Sequence, residues 1–165
     1  MQTFLPYEDF SDSARTLDDK RLGKQRVETL QVMCALAGLK ADLSTPAKPS
    51  AWLSHPVCKM WKGHERMLLQ YQEDICSIWT LERGFKDTCF IKTLKVLMCA
   101  PPTFANNHRS PWWLGYDAFH ASHRSNLRRK NPAHYDRLFP ITRPDLPYLW
   151  PQEDRTFKEG PYNVW

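Results

Sequence analysis

Residues 17–28 read LDDKRLGKQRVE and run on into TLQVMCALAG. In this stretch apolar residues recur at intervals of three and four, which is the period of a helix with one buried face. Successive helical residues are turned by about 100°, so Arg21, Lys24, Gln25 and Glu28 share a face. The stretch therefore predicts a long amphipathic helix that presents one carboxylate among cationic and amide side chains.

The shared face has two interpretations. A carboxylate surrounded by cations stays ionised at neutral pH, so it is suited to stabilising positive charge or orienting water rather than to donating a proton. The cations around it would bind phosphates. The alternative is a solvated helix face whose charges form ordinary i,i+4 pairs. The remainder of the sequence has to decide between a site and a solvated surface.

The composition indicates one domain with a basic surface. The chain has 165 residues, of which 42% are hydrophobic, and this is enough to bury a core within a single domain spanning 1–165. The formal net charge is +5 and the pI is near 9.0, a balance that favours a polyanionic partner. A second group of cations follows later in the chain: Arg124, Arg128, Arg129 and Lys130. Two separate cationic surfaces are therefore expected.

Cysteine usage and the N-terminal sequence bear on the compartment. The five cysteines are an odd number without a C-x-x-C pair, so neither a disulfide framework nor a zinc site is indicated. The N-terminus has no basic region followed by an apolar core, and no apolar run approaches membrane-spanning length. We therefore expect a soluble, cytoplasmic, monomeric protein with reduced thiols, no membrane partner and no cofactor.

Helix signals account for most of the chain and predict an all-α, compact helical bundle with long loops. Ser11 or Ser13 can cap the first helix, which can bend before it stops at Gly38. The further predicted elements are a loop over 40–54, a helix from Pro56 to near Gly84, a helix over 116–130 and a short helix over 133–138. Residues 88–99 fit a short helix or a strand, because their apolar residues do not settle the period, and the helix is the favoured interpretation. The proline-rich C-terminal tail is expected to pack over the helices as irregular chain.

Aromatic side chains near the second basic cluster have two interpretations. Trp112 and Trp113 follow Arg109 in a predicted loop, where an aromatic pair flanked by cations can stack on or wedge between exposed bases. Packing in the core is the alternative, and it is the better account of most other aromatic residues of the chain. His55 and His64 flank the start of a helix and are also candidates for contact with nucleic acid or an unstacked base.

His120 and His123 are three residues apart in a predicted helix, so their side chains would lie within reach of one another. A metal site is the least favoured interpretation, because no acidic residue lies at the neighbouring helical positions and the local charge is positive. We expect no metal. Phosphate contact by His123 and Arg124 is the favoured interpretation, and a structural hydrogen bond is the alternative for His120.

Three blocks of the sequence together carry a family resemblance. The first block consists of Leu17, Asp19, Arg21, Leu22 and Glu28. The second block begins at His55-Pro56, continues into an aromatic-rich helix and ends at Arg83-Gly84-Phe85. The third block is HASHRSNLRRKNPAHY over 120–135. In order and spacing these blocks resemble the pyrimidine-dimer DNA glycosylases of the endonuclease V type and their bacterial relatives. The resemblance touches most of residues 1–140.

The resemblance implies a compact helical fold that bends double-stranded DNA, extrudes a nucleotide and cleaves its glycosidic bond, often with strand scission afterwards. Glu28 takes the place of the catalytic glutamate, and a fixed carboxylate can stabilise the oxocarbenium-like sugar that remains when a base departs. Arg21 and Arg26 would hold the flanking phosphates. The arginine that precedes the glutamate in the family is Val27 here, so the strand would be held differently.

The N-terminus departs from the family, whose nucleophile is the α-amine of a threonine freed by removal of the initiator methionine. Here Gln2 separates Met1 from Thr3, and methionine is ordinarily removed only before small residues. We therefore expect Met1 to be retained and its α-amine, which is substantially neutral near physiological pH, to act as the nucleophile. Lys24 is the rival amine because it lies one helical turn from Glu28. No other lysine lies in a recognisably desolvated context.

Two classes of function remain open. The first is a DNA glycosylase that excises a damaged or modified base, most simply a pyrimidine, with or without abasic-site lyase activity. The second is a DNA-binding or base-modifying protein on the same scaffold without glycosylase activity. On either hypothesis the partner is double-stranded DNA, and the candidate DNA-binding residues are Arg21, Lys24, Gln25, Arg26, His55, His64, Trp112, Trp113, His123, Arg124, Arg128, Arg129 and Lys130.

Overall fold

The first two helices each begin at an aspartate. A computed structural model describes residues 2–101, 104 and 109–160. The Asp9 carboxylate accepts an N–H of the first turn of α1 (Phe10–Thr16) at 2.8 Å. The Asp18 carboxylate does the same for α2 (Asp19–Ala37) at 2.9 Å. The predicted helix from Ser11 or Ser13 is thus two helices, because Asp18 caps a new one.

The end of α2 and the contact between α2 and Trp79 both depend on glycine. Gly38 follows α2 with φ of 67°, so the predicted stop is confirmed. Within α2, a β-carbon on Gly23 would lie 3.0 Å from the ring of Trp79. The indole therefore packs directly on the helix backbone at this position.

The predicted helix from Pro56 to Gly84 is interrupted. A 3₁₀ turn (Ala51–Ser54) leads into α3 (Pro56–Trp61), and a turn at Gly63, with φ of 81°, separates α3 from α4 (Glu65–Ser77). The Glu65 carboxylate accepts the N–H of Gly63 at 2.8 Å and fixes this turn. The chain then passes through one wider helical turn, Ile78–Glu82.

The described residues beyond Glu82 include three more α-helices and a hairpin. These helices are α5 (Cys89–Cys99), α6 (Asp117–Lys130) and α7 (Pro132–Tyr135). The prediction of a mostly helical, compact fold is confirmed. The prediction of a wholly irregular tail is wrong, because β1 (Tyr148–Pro151) pairs antiparallel with β2 (Phe157–Gly160). β1 carries its buried aromatic residues at alternate positions, which is the period of a strand.

An aromatic core lies where α1, α3 and α4 meet the loop before α6. The Phe10 and Tyr71 ring centroids are 5.5 Å apart, and those of Trp61 and Trp113 are 5.1 Å apart. Both pairs meet edge to face, which aromatic rings prefer. α2 packs against α4 and α5 on one side of this core. Within the described residues, no helix is both long and apolar enough to span a bilayer.

Candidate active site

An extended N-terminal segment, residues 2–6, is buried against α2. Of its residues, Gln2 is 5% exposed and Leu5 is not exposed at all. The peptide N–H of Gln2 donates to Oε2 of Glu28 at 3.2 Å. Met1, the predicted nucleophile, is joined to that same nitrogen but lies outside the described residues. The described chain therefore begins at a direct hydrogen bond to the carboxylate that the sequence singles out.

Gln25 joins the N-terminal segment to Glu28. Its Oε1 accepts the N–H of Phe4 at 3.0 Å and lies 2.8 Å from the donating Oη of Tyr71, while its Nε2 donates to Glu28 Oε2 at 3.3 Å. The side chain is fully buried. Direct DNA contact, which the sequence suggested for Gln25, does not fit this burial. Gln25 instead positions Glu28 and the N-terminal segment.

Residues of α6 hold the other end of the segment. The Nδ1 of His123 accepts the N–H of Leu5 at 3.0 Å, and the Nδ1 of His120 donates to the Leu5 carbonyl at 2.8 Å. Nη1 of Arg124 donates to the carbonyl of Pro6 at 2.8 Å. The structural role considered for His120 thus extends to His123 and Arg124. Since His123 is fully buried, the phosphate contact expected of it does not fit the structure.

Both histidines are neutral in these surroundings. Burial lowers the pKa of His120 and holds the pKa of His123 well below the usual histidine value. Their second nitrogens are also engaged: Nε2 of His120 accepts the N–H of Gly115 at 3.0 Å, and Nε2 of His123 lies 2.9 Å from Oη of Tyr148. Among the residues that the structure describes, no group of three or more His, Cys, Asp or Glu side chains could hold a metal ion.

Glu28 keeps one oxygen available. Its side chain is half-buried, and both of its hydrogen bonds, from Gln2 and Gln25, go to Oε2. Within the described ranges, Oε1 accepts no hydrogen bond. Lys24 lies one helical turn earlier and is exposed. A carboxylate fixed through one oxygen and open at the other can face a developing positive charge on a substrate.

Arg21 links the start of α2 to the end of α6. Its Nη1 is paired with Asp18, and its Nη2 donates to the carbonyl of Lys130 at 2.9 Å. Burial opposes ionisation of Asp18, but hydrogen bonds from Asn131 and Arg21 outweigh it and lower the pKa of that carboxyl. Arg21 is thus held in a fixed position two turns of α2 before Glu28.

Lys130 ends α6 beside the first turns of α2, where its backbone carbonyl accepts Nη2 of Arg21. The side chain is half-buried, and burial, followed by the positive charge of Arg21, lowers its pKa. The charges of Lys24 and Arg129 act in the same direction, and that of Glu28 acts against them. The sequence places Lys130 among phosphate-binding cations, because nothing local shows that α6 ends over this face of α2.

Arg26 makes its contacts away from Arg21 and Glu28, on the side of α2 that faces α5. Its Nη1 is 2.6 Å from Asp87, and its guanidinium carbon is 4.4 Å from the centroid of the Trp79 ring. The Asp87 carboxylate also accepts the N–H groups that open α5, at 2.9 to 3.1 Å. Arg26 therefore joins α2 to α5. The phosphate contact expected of Arg26 would require this pair to open.

The remaining aromatic candidates separate into buried and accessible groups. Trp113 is 1% exposed and packs on Trp61, so it offers no face to DNA, and the packing alternative describes it. Trp112 is half-buried, with its ring centroid 4.9 Å from that of Phe157. Trp52, which the sequence analysis passed over, is 46% exposed and meets His55 edge to face at 5.5 Å.

His55 and His64 both lie at helix starts, and burial lowers the pKa of each. Nδ1 of His55 accepts the N–H of Val57 at 3.2 Å, and its ring meets Trp150 edge to face at 6.0 Å. Trp150 in turn contacts Tyr148, the partner of His123. His55 is thus in contact with β1 of the hairpin. DNA contact by His55 or His64 stays a prediction.

Two arginines of α6 bind the tail. Nε of Arg128 donates to Asp136 at 2.7 Å, and its Nη1 to the carbonyl of Thr142. Nη1 of Arg129 donates to the carbonyls of Pro144 and Leu146 at 2.6 and 3.0 Å. These bonds hold residues 136–146 against the helix. Phosphate contact by Arg128 and Arg129 stays a prediction that competes with this structural role.

Comparison with known proteins supports the resemblance. The family model described as pyrimidine dimer DNA glycosylase matches residues 1–93, which include the N-terminal segment, α2, α3 and α4. No curated protein matches the chain, and no solved structure matches it. The matched residues are those that bring the chain's N-terminal segment against Glu28. The chain belongs to the pyrimidine dimer DNA glycosylase family.

Proposed function

We propose that this protein is a DNA glycosylase that extrudes a damaged or modified pyrimidine from double-stranded DNA and cleaves its glycosidic bond. One observation carries the proposal: the hydrogen bond from the Gln2 N–H to Glu28 brings the chain's N-terminal segment and a fixed carboxylate together. Residues 1–165 would act as one domain. In this proposal the protein would act as a monomer in the cytoplasm.

Glu28 would act on the sugar. As the bond between C1′ and the base breaks, positive charge develops on C1′ and the ring oxygen. The open Oε1 of Glu28 would face that charge, while Gln2 and Gln25 hold Oε2 in place. A carboxylate that is already positioned needs no reorganisation during the reaction, which is how fixed charges lower a barrier most effectively.

Strand scission would need an amine. In this proposal the α-amine of Met1 attacks C1′ and the base leaves with the bonding electrons and takes up a proton. The C1′–O4′ bond then breaks, which leaves a C1′=N imine and a protonated O4′. Loss of a proton from C2′ finally expels the 3′ phosphate by β-elimination. The cations Arg21 and Lys24 lie on the same face of α2 as Glu28 and would bind the phosphates flanking the extruded nucleotide. The imine is the step that separates a bifunctional enzyme from one that uses Glu28 to activate water.

The test is a panel of duplex oligonucleotides that carry a pyrimidine dimer, an alkylated pyrimidine or a bulky modified base, incubated with the purified protein with and without borohydride. Release of a free base from any member supports a glycosylase. A borohydride-trapped adduct adds lyase chemistry. Salt-sensitive binding with no released base from the whole panel would favour the alternative, a DNA-binding or base-modifying protein on this scaffold.

A further inference from the structure

The 3₁₀ turn before α3 presents an exposed indole beside an imidazole that is held in place. Trp52 in this turn is 46% exposed, and its ring centroid lies 5.5 Å from that of His55, with the two planes inclined at 63°. The imidazole also meets the buried ring of Trp150 edge to face at 6.0 Å. His55 therefore contacts two aromatic rings, of which one is buried and the other is open to solvent.

This turn is joined to the candidate site. α2, which carries Glu28, contacts both the 3₁₀ turn and α3. At the end of α3, Nε1 of Trp61 donates to Oγ1 of Thr3 at 2.9 Å, so the helix that His55 caps is bonded to the N-terminal segment. Burial lowers the pKa of His55, and the positive charge of the amino terminus lowers it further. The imidazole is therefore neutral near physiological pH.

The hydrogen bond that caps α3 fixes the tautomer of this imidazole. Nδ1 of His55 accepts the N–H of Val57 at 3.2 Å, so the neutral ring carries its proton on Nε2. Within the described residues, Nε2 of His55 makes no hydrogen bond, and the side chain is half-buried rather than enclosed. The cap therefore leaves one N–H of a fixed ring for an acceptor on a ligand.

We propose that Trp52 and His55 receive the extruded pyrimidine: the indole stacks on the base, and Nε2–H of His55 donates to its O2 carbonyl. This inference rests on the proposed function and deepens it by naming the groups that act on the departing base. Since the two rings are inclined at 63°, a base that lies on the indole is inclined to the imidazole as well. It can therefore meet the in-plane Nε2–H with an edge, where its carbonyl oxygens lie.

The donor would act on the bond that breaks. As the bond between C1′ and N1 breaks, its electron pair passes to the base, and the negative charge spreads from N1 onto O2. The hydrogen bond from Nε2 strengthens while that charge develops, and a neutral imidazole can polarise a carbonyl in this way. No proton leaves His55 in this step, and the departing base takes its proton from water. Glu28 and His55 would thus stabilise opposite charges at the two ends of one bond.

Two substitutions separate the roles of the two ring nitrogens. Asparagine keeps an acceptor near the position of Nδ1 and can cap α3, but it has no donor at the position of Nε2. Glutamine reaches that position with an N–H but lacks the cap. We expect His55→Asn to slow single-turnover base release about 10²-fold, with Tm and affinity for undamaged duplex unchanged. We expect His55→Gln to lower Tm and to keep a rate within about tenfold of the unsubstituted protein.

The order of these two variants is the decisive result. A histidine that only caps α3 would give the reverse order, with His55→Asn fully active and His55→Gln the slower variant. That order would overturn the inference. Because His55→Asn keeps the cap, its loss of rate would not be a consequence of unfolding, and Tm measured on the same preparation checks this.

Photocrosslinking locates the base without requiring cleavage. The full-length protein is irradiated with a duplex that carries one 5-iodouracil mispaired with guanine, since a mismatched base is the easiest to unstack. We expect the crosslinked peptide to contain Trp52 or His55, and Trp52→Ala to reduce the yield about tenfold through the loss of stacking. Ile141→Ala, which removes another exposed apolar side chain, is the control and should leave the yield unchanged. Crosslinks at other residues only, or no crosslink, would overturn the inference.

The two measurements together separate this inference from the proposed function. A crosslink at Trp52 or His55, with no base released from any duplex of the panel, would support base binding at this turn and contradict glycosylase activity. Base release that proceeds at the full rate in His55→Asn would overturn the inference alone and leave a glycosylase that stabilises the departing base elsewhere.

Discussion

Replacement of Glu28 by glutamine is the most direct perturbation of the candidate site. The amide keeps an oxygen that can accept the N–H groups of Gln2 and Gln25, which lie 3.2 and 3.3 Å from Oε2, so we expect the fold and the N-terminal segment to remain in place. What the substitution removes is one negative charge beside the sugar. Affinity for duplex DNA should be unchanged or slightly higher, since phosphate repulsion is also removed.

The expected loss of rate follows from that charge. A carboxylate oxygen in contact with the sugar would lie about 4 Å from the developing positive charge, and two unit charges at that separation interact by about 4 kcal/mol at an effective dielectric constant of about 20. Losing that stabilisation in the transition state alone would slow base release by about 10³-fold.

Single-turnover release of the base from a duplex with one pyrimidine dimer, with protein in excess, measures this loss without interference from product release. Glu73→Gln on the exposed face of α4 is the matched control and should retain the full rate. A Glu28→Gln rate within about tenfold of the unsubstituted protein, at equal DNA affinity, would refute electrostatic stabilisation by Glu28.

Further predictions concern the parts that support Glu28. Gln25→Ala leaves the Phe4 N–H without a buried partner, while the Tyr71 hydroxyl keeps the Phe4 carbonyl at 3.0 Å, so thermal unfolding should show a loss of about 2 kcal/mol, or about 6 °C in Tm. Lys24→Gln should reduce the slope of log K against log salt for duplex binding by about one. Arg128→Gln, which breaks the pair with Asp136, should lower Tm; a slope reduced by about one in this variant would support its phosphate contact, and an unchanged slope would leave Arg128 with the structural role alone. Since burial lowers the pKa of His120 and His123, the unfolded chain binds more protons as pH falls. Denaturant unfolding should therefore show stability that declines as pH falls below about 6.5, by up to about 1.4 kcal/mol per pH unit for each histidine, and His55 and His64 contribute in the same direction. His123→Gln should remove one histidine's share of that slope, up to about 1.4 kcal/mol per pH unit.

The helices could be predicted because their signals are local. Gly38 ends α2 in a left-handed conformation, apolar periodicity locates α4, and Asn131-Pro132 marks the end of α6. The break before α2 was missed, although Asp18 has the side chain of an N-cap, because the periodicity continues across it. The hairpin at Tyr148–Pro151 was missed because strands of four residues between prolines carry little pattern of their own.

Only the part of the candidate site that lies on α2 could be predicted from the sequence. Helical phase places Arg21, Lys24 and Glu28 together without knowledge of the fold. The partners that α6 contributes could not be predicted, because the bond between Leu5 and His123 spans 118 residues of sequence. The sequence does not distinguish a cationic or imidazole side chain that binds a phosphate from one that binds a backbone carbonyl.

The histidine pair of α6, His120 and His123, shows how side chains expected to bind phosphate can instead bind the backbone of a buried segment. Leu5 presents one N–H and one carbonyl in a site from which water is excluded, and each needs a partner of the opposite kind. A neutral imidazole supplies one acceptor and one donor, so His123 can accept from the N–H while His120 donates to the carbonyl. Protonation of His123 would replace the acceptor by a second donor and break the match. The two side chains must therefore stay neutral for the N-terminal segment to remain bound beside Glu28. Burial keeps them neutral, and the same burial makes them poor contacts for DNA. The geometry of the candidate site therefore depends on the burial of this histidine pair.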